Sequence, residues 1–186
     1  MSEEIKIESF KDYVEFTRTT AVYPKEKELE YLIFGLTDEL GELRDKVEWI
    51  TYTTEDIVDE LSDVCWYVGR LVDNRGLTDE IDSIKNFSID RIVERTDYFK
   101  SDQLEMIDDA YKFLSELTGN LKKFIRDGNE SKLEKADQNI REIVYYLMLS
   151  STVLGGYNLK NVLEINVAKL SDRKDRGVLK GDGDKR

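Results

Sequence analysis

Two pairs of acidic residues, each pair spaced three apart, are the part of this chain best suited to do chemistry. They are Glu39 with Glu42, and Glu60 with Asp63. Residues three apart on a helix share a face, so two such pairs on antiparallel helices would direct four carboxylates at one point. Carboxylates gathered in this way need a compensating cation. Oxygen ligands suit hard divalent ions, so we expect a site that binds Mg²⁺, with Mn²⁺ as a substitute, and that handles phosphates. The alternative for such pairs is a solvated helix face.

The amino-acid composition argues against several other kinds of site. The chain has no histidine and a single cysteine, Cys65, which leaves no basis for a disulfide framework, zinc chemistry, or a catalytic triad that uses histidine. Its formal net charge of −12 disfavours binding to nucleic acid polymers and to anionic membranes. The sequence shows neither a bilayer-spanning apolar run nor the pattern of a signal peptide. We therefore expect a cytoplasmic protein with no nucleic acid polymer and no membrane as partners.

The hydrophobic pattern predicts one all-α domain over residues 1–186, a bundle of about six to eight helices. Pro24 is the only proline, and the alternation typical of strands is weak. Apolar residues at helical spacing predict helices over 8–20, 27–48, 55–74, 78–86, 103–127, 132–154 and 159–171. The two acidic pairs therefore lie on the second and third predicted helices.

Helix boundaries are marked by capping residues. Thr53 and Asp56 resemble a capping box at the start of the third helix, and Gly76 follows its end as a stop signal. Ser131 and Glu134 have the spacing of a standard capping box, which predicts the start of the helix over 132–154.

The half of the chain over 103–171 looks like a degenerate copy of the half over 25–86. ELGELRDKVEW resembles LTGNLKKFIRD, and LSDVCWYV resembles IREIVYYL. In that register the four acidic positions correspond in turn to Leu117, Asn120, Asn139 and Glu142. Three of the four carboxylates have no counterpart, so we expect the metal to be bound only by the first half. Helical patterning alone also produces such matches, and this remains the alternative to a true repeat.

Residues 36–67 resemble the MazG-like superfamily of all-α nucleoside triphosphate pyrophosphohydrolases. The family signature is E-E-x-x-E, a spacer, and E-x-x-D; here it is Asp38-Glu39-Leu40-Gly41-Glu42, followed by Glu60-Leu61-Ser62-Asp63. Asp38 stands in place of the first glutamate. A second block, over 161–186, is similar to the C-terminal part of such proteins, with an N-x-x-K-L-x-x-R stretch and a G-x-G-D-x-R ending.

The resemblance implies a MazG-like helical bundle in which the second half acts as a built-in partner protomer, as in the related dimeric dUTPases. About 80 residues, from Ile84 to the last predicted helix, lie between the two parts of the chain that carry these blocks, which are usually closer together. A fused pair of this kind is compatible with a monomer and with a homodimer.

The resemblance also implies a function, the Mg²⁺-dependent hydrolysis of a nucleoside triphosphate to the monophosphate and pyrophosphate, in nucleotide-pool house-cleaning. Glu39, Glu42, Glu60 and Asp63 would hold the metal, and Glu39 would double as the catalytic base. The residues expected to bind phosphate are Asn166, Lys169, Arg173 and, in the polar tail over 172–186, Lys185 and Arg186. Trp66 and Tyr67 would stack on the base, although core packing is the simpler role for Trp66.

Two alternatives remain open from the sequence. One is an enzyme of narrower specificity, a dUTPase or dCTPase or one that acts on a nucleoside diphosphate. The other is a helical module that binds nucleotide without cleaving it, or that only mediates assembly. The intact set of four carboxylates argues against the second alternative, because a binding-only protein has no need of all four.

Overall fold

A computed structural model describes residues 5–49, 52–84, 87–91, 100–155 and 157–180. These residues form seven α-helices and no strand, which confirms the predicted all-α bundle. The helices are α1 (Phe10–Arg18), α2 (Glu28–Glu48), α3 (Thr54–Asn74), α4 (Thr78–Ser83), α5 (Lys100–Asp127), α6 (Glu130–Gly155) and α7 (Leu159–Asp175). A 3₁₀ turn over Lys25–Lys27 leads into α2. None of the described helices is long and apolar enough to cross a membrane.

Helices α2 and α3 form an antiparallel hairpin that carries both acidic pairs. Glu28 at the start of α2 pairs with Arg70 near the end of α3, whereas Lys46 near the end of α2 pairs with Glu60 near the start of α3. Helices α5 and α6 form a second antiparallel hairpin. Because α2 packs on α5 and α3 packs on α6, the two hairpins together form a four-helix arrangement.

The remaining helices cover one side of this arrangement. Helix α7 packs on α3 and α6, and α1 packs on α3, α4 and α7. One cluster of buried apolar side chains includes residues from all seven helices. The fully buried members include Phe10, Leu36, Leu40, Leu61, Ile81, Ile107, Leu117, Ile140 and Leu163. The first and second halves of the chain therefore share one hydrophobic core, which holds α2, α3 and α7 against one another.

The predicted signals at both ends of α3 are confirmed. The Thr53 hydroxyl accepts a hydrogen bond from the Asp56 backbone N–H at 3.2 Å, and the Asp56 carboxylate accepts one from the Thr53 N–H at 2.8 Å. Gly76, after the helix, has a φ of 67°, in the left-handed region where glycine carries no steric cost.

The capping box predicted at Ser131 and Glu134 is wrong. Helix α6 begins at Glu130, so Ser131 lies inside the helix and cannot cap it. The cap is Asn129, whose side-chain oxygen accepts a hydrogen bond from the Ser131 backbone N–H at 3.0 Å. Asparagine ranks at least as high as serine at this position, so the earlier of two candidate caps starts the helix.

Gly35 lets α3 approach α2 closely beside the acidic pairs. A Cβ atom at this position would lie 2.1 Å from Cε1 of the Tyr67 ring, which is far inside van der Waals contact. The ring therefore rests directly on the backbone of α2. Because Gly35 is one turn before Glu39 and Tyr67 is one turn after Asp63, this contact helps to set the spacing of the two helices at the carboxylates.

We expect Gly35→Ala to destabilise the protein by about 1–3 kcal/mol, because the added methyl group must displace the Tyr67 ring or separate the helices. The matched control is Gly119→Ala in the middle of α5, where a Cβ atom would meet nothing within 4 Å. The control should be neutral or up to about 1 kcal/mol stabilising, because alanine favours a helix interior over glycine. Urea denaturation of both variants checks this, and equal stability of the two would contradict the tight contact.

Candidate metal centre between α2 and α3

Three glutamates from the hairpin of α2 and α3 meet in one cluster. One carboxylate oxygen from each of Glu39, Glu42 and Glu60 lies within 4.8 Å of the other two. The three side chains differ in depth: Glu60 is buried, Glu39 is half-buried and Glu42 is exposed. We call these residues the glutamate triplet. It is a cluster of oxygen ligands that opens to solvent on the side of Glu42.

Asp63, the fourth predicted ligand, lies beside the triplet but faces α7. Its carboxylate accepts hydrogen bonds from the Lys169 ammonium at 2.7 Å and from the Asn166 side-chain amide at 3.2 Å. The negative charge of Asp63 nevertheless contributes to raising the pKa of Glu39. The structure therefore brings together three of the four predicted ligands, with the fourth next to them and paired with α7.

Two lysines compensate part of this negative charge. The Lys46 ammonium donates a hydrogen bond to the Glu60 carboxylate, and Lys169 contacts Asp59 at 2.8 Å in addition to Asp63. Sequence reasoning missed both Lys46 and Asp59. The signal that would have found them is helical spacing, because Lys46 is four residues after Glu42, and Asp59 is four residues before Asp63.

Burial and mutual repulsion make the carboxylates of this site weak acids. Burial, followed by the charges of Asp63, Glu60 and Glu42, raises the pKa of Glu39 to about 8. Burial also raises the pKa of Glu60 and of Asp63, although a lysine opposes the shift in each case. The two lysines thus do not neutralise the site fully, and an additional cation would favour the charged forms of all these groups.

The three predicted phosphate-binding residues on α7 share the face that packs on α3. Asn166 is fully buried, and its side-chain oxygen accepts a hydrogen bond from the Tyr13 hydroxyl at 2.9 Å. Arg173 is also buried, and its charge lowers the pKa of Asp63. Together with Lys169, these side chains place positive charge and an amide beside the triplet. The predicted residues Lys185 and Arg186 lie outside the described residues.

The two rings predicted to stack on a base differ in exposure. Trp66 is 9% exposed, and its indole N–H donates a hydrogen bond to the Thr20 hydroxyl at 2.9 Å, as expected of a core residue. Tyr67 is half-buried between Gly35 and Tyr31, whose ring centroid lies 6.0 Å from its own. Base stacking by either ring stays a prediction.

In the second hairpin, asparagines occupy the positions that the predicted repeat aligns with two of the glutamates. Asn120 and Asn139 correspond in that register to Glu42 and Glu60, and the Asn120 amide donates a hydrogen bond to the Asn139 side-chain oxygen at 3.0 Å. Asn139 in turn donates to the Glu116 carboxylate at 3.1 Å. This contact agrees with the register of the predicted repeat. The repeat itself stays a prediction.

The glutamate triplet has the donor chemistry that Mg²⁺ and Mn²⁺ require. All three ligands are carboxylate oxygens, they come from two helices, and the raised pKa values of Glu39 and Glu60 indicate a deficit of positive charge. Comparison with family models, with curated proteins and with solved structures found no match to this chain. The functional interpretation of the site therefore depends on these residues and on the sequence motifs.

The pKa of Glu39 predicts how the metal-free protein responds to pH. The folded value of about 8 lies above the ordinary value of 4.5, so the folded state keeps a proton that the unfolded state has lost. The stabilising contribution of Glu39 is complete below its unfolded pKa and is lost as the pH rises through its folded pKa. The metal-free protein should therefore lose stability as the pH rises from about 5 to about 8.5.

Glu39→Gln should reduce that loss, because glutamine stays neutral throughout. Glu30→Gln, at an exposed glutamate of the same helix, is the matched control and should leave the loss unchanged. The measurement is the free energy of unfolding in urea at several pH values in the presence of a chelator. An identical pH dependence for wild type and Glu39→Gln would show that Glu39 does not titrate in this range.

Proposed function

We propose that this protein is a Mg²⁺-dependent nucleoside triphosphate pyrophosphohydrolase, which converts a nucleoside triphosphate and water to the monophosphate and pyrophosphate. The observation that carries the proposal is the glutamate triplet, together with Lys169 of α7. The Lys169 ammonium contacts Asp63, which lies beside the triplet. Such a site joins a set of metal ligands to a cation able to bind phosphate. Its elements are the ones that the two sequence motifs of the MazG-like resemblance predict.

The chemistry of a polyphosphate explains why both kinds of group are needed. Phosphoryl transfer requires that the charge of the phosphate oxygens be neutralised and that the attacking water be held in line with the leaving group. A bound Mg²⁺ would supply that neutralisation and would lower the pKa of water. Glu39, Glu42, Glu60 and Asp63 are the residues that would hold it, through carboxylate oxygens on two helices.

The residues of the chain would perform the remaining tasks. Glu39 is the half-buried member of the triplet, and it would accept the proton of the attacking water once a bound cation favours the charged form of its carboxylate. Lys169 would bind a phosphate oxygen. Since its ammonium contacts Asp59 and Asp63 at 2.8 and 2.7 Å, a phosphate must share this ammonium with them or take it over.

The products of the reaction test the proposal directly. The protein should convert at least one canonical or deoxy nucleoside triphosphate to monophosphate and pyrophosphate in the presence of Mg²⁺, and none in the presence of a chelator. Ion-exchange chromatography of each incubation identifies the products, and the ranking of rates identifies the preferred base and sugar. Diphosphate with orthophosphate would mean a different phosphohydrolase, and absence of turnover would favour a binding module.

Glu60→Gln should lower turnover by at least about 100-fold, because removal of a group that merely orients a ligand already costs about 10–100-fold. Glutamine has nearly the volume of glutamate and stays neutral, so the fold should survive. Glu55→Gln, at an exposed glutamate near the start of the same helix, should retain full turnover. Steady-state rates of both variants provide the measurement. Wild-type turnover in Glu60→Gln would remove the triplet from the proposed metal site.

A further inference from the structure

Lys46 lies where a divalent cation would have to bind. Its ammonium is hydrogen-bonded to Glu60, the deepest member of the triplet, and the two side chains are 17% and 2% exposed. The lysine comes from the same helix face as Glu42, one turn further along α2. The carboxylate that the protein has buried most completely is thus already paired with a positive charge that belongs to the chain.

A lysine ammonium and a divalent ion compete for such a carboxylate. Both are attracted to the Glu60 carboxylate, and two positive charges at contact distance in a partly buried site repel each other strongly. The Lys46 ammonium also lies 5.7 Å from the ring centroid of Tyr52, a half-exposed tyrosine just before α3. The face of that ring attracts a cation and can retain the ammonium after it leaves Glu60.

We propose that Lys46 is a resident counter-cation of the glutamate triplet, that a divalent ion displaces it, and that the released ammonium binds substrate phosphate. This inference rests on the proposed metal site and deepens it. Without metal, Lys46 is the hydrogen-bonded partner of Glu60 inside the bundle. With metal, the ammonium moves towards solvent, the side from which a triphosphate must approach.

Displacement of one shared lysine makes metal and triphosphate binding cooperative. The ion has to compete with Lys46 when it binds alone, so its affinity is reduced. A triphosphate offers the released ammonium a new anionic partner, and each ligand therefore favours the state that the other needs. Coupling of this kind is reciprocal and typically amounts to about 5–150-fold in affinity.

The test is Mn²⁺ binding followed by electron paramagnetic resonance, with and without inorganic tripolyphosphate. This readout requires no turnover. Lys46→Met should bind Mn²⁺ at least about 5-fold more tightly than wild type in the absence of tripolyphosphate, because the competitor is gone. After the binding of Mn²⁺ to free tripolyphosphate is subtracted, the increase in Mn²⁺ affinity on adding tripolyphosphate should be larger in wild type than in Lys46→Met, where only direct contact between the ion and phosphate remains.

Three further variants control for charge, for position and for folding. Lys46→Arg keeps the positive charge and should behave like wild type, whereas Lys122→Met, at an exposed lysine of α5, should change neither Mn²⁺ affinity nor coupling. Lys46→Gln keeps a hydrogen-bond donor for Glu60 without the charge, so it provides a second neutral variant should Lys46→Met fail to fold. Circular dichroism verifies the fold of each.

The outcomes separate this inference from the proposed function. Unchanged or weaker Mn²⁺ binding by both neutral variants, in a protein whose wild type binds Mn²⁺ and cleaves a nucleotide, would overturn the role of Lys46 and leave the enzyme assignment standing. Absence of Mn²⁺ binding by wild type would overturn the metal site and, with it, the role of Lys46. A third outcome is that the neutral variants bind Mn²⁺ more tightly than wild type, yet tripolyphosphate raises their Mn²⁺ affinity as much as it does in wild type. That outcome would refute the binding of phosphate by the released ammonium.

Discussion

Mutual repulsion among carboxylates is the constraint around which the first hairpin and α7 are arranged. Burial and the charges of neighbouring carboxylates raise the pKa values of Glu39 and Glu60, and burial raises that of Asp63. Uncompensated, such a cluster would push α2 and α3 apart. The chain supplies two lysines from opposite directions, one from α2 itself and one from α7. Their partial compensation leaves an acidic site that is held in place and still attracts cations.

The position of α7 follows from the same requirement. Lys169 bridges Asp59 and Asp63, and Asn166 links Asp63 to Tyr13 of α1. These contacts connect three helices that are distant in sequence, and they run from the acidic site to the fully buried side chains of Asn166 and Tyr13. Helix α7 is therefore fixed by polar contacts at the point where proposed metal ligands and proposed phosphate ligands meet.

The sequence predicted the helices well because each is amphipathic over several turns. Their number, order and approximate bounds all follow from apolar spacing, and the convergence of Glu39, Glu42 and Glu60 follows from the antiparallel packing of α2 on α3. The prediction at Ser131 failed because Asn129, two residues earlier, is at least as good a capping residue and starts the helix first.

The ion pairs within the site were beyond sequence reasoning. Side chains as long as lysine can reach several partners, and the choice depends on the depth of each carboxylate and on the approach of α7. Lys169, which the sequence predicts to bind phosphate, contacts Asp63 in this structure, because the burial of that carboxylate demands a cation. The role of Lys46 was hidden in the same way, since the spacing places it near the cluster without showing which carboxylate it serves.

The hydrogen-bonded amides of the second hairpin show what stability the first hairpin loses by placing carboxylates at the corresponding positions. Asn120 and Asn139 join α5 and α6 through a pair of amides, and the one carboxylate beside them, that of Glu116, accepts a hydrogen bond from Asn139. The same architecture is therefore held together there without a cluster of carboxylates. The carboxylates between α2 and α3 consequently carry a cost in stability that an amide pair at the corresponding positions avoids.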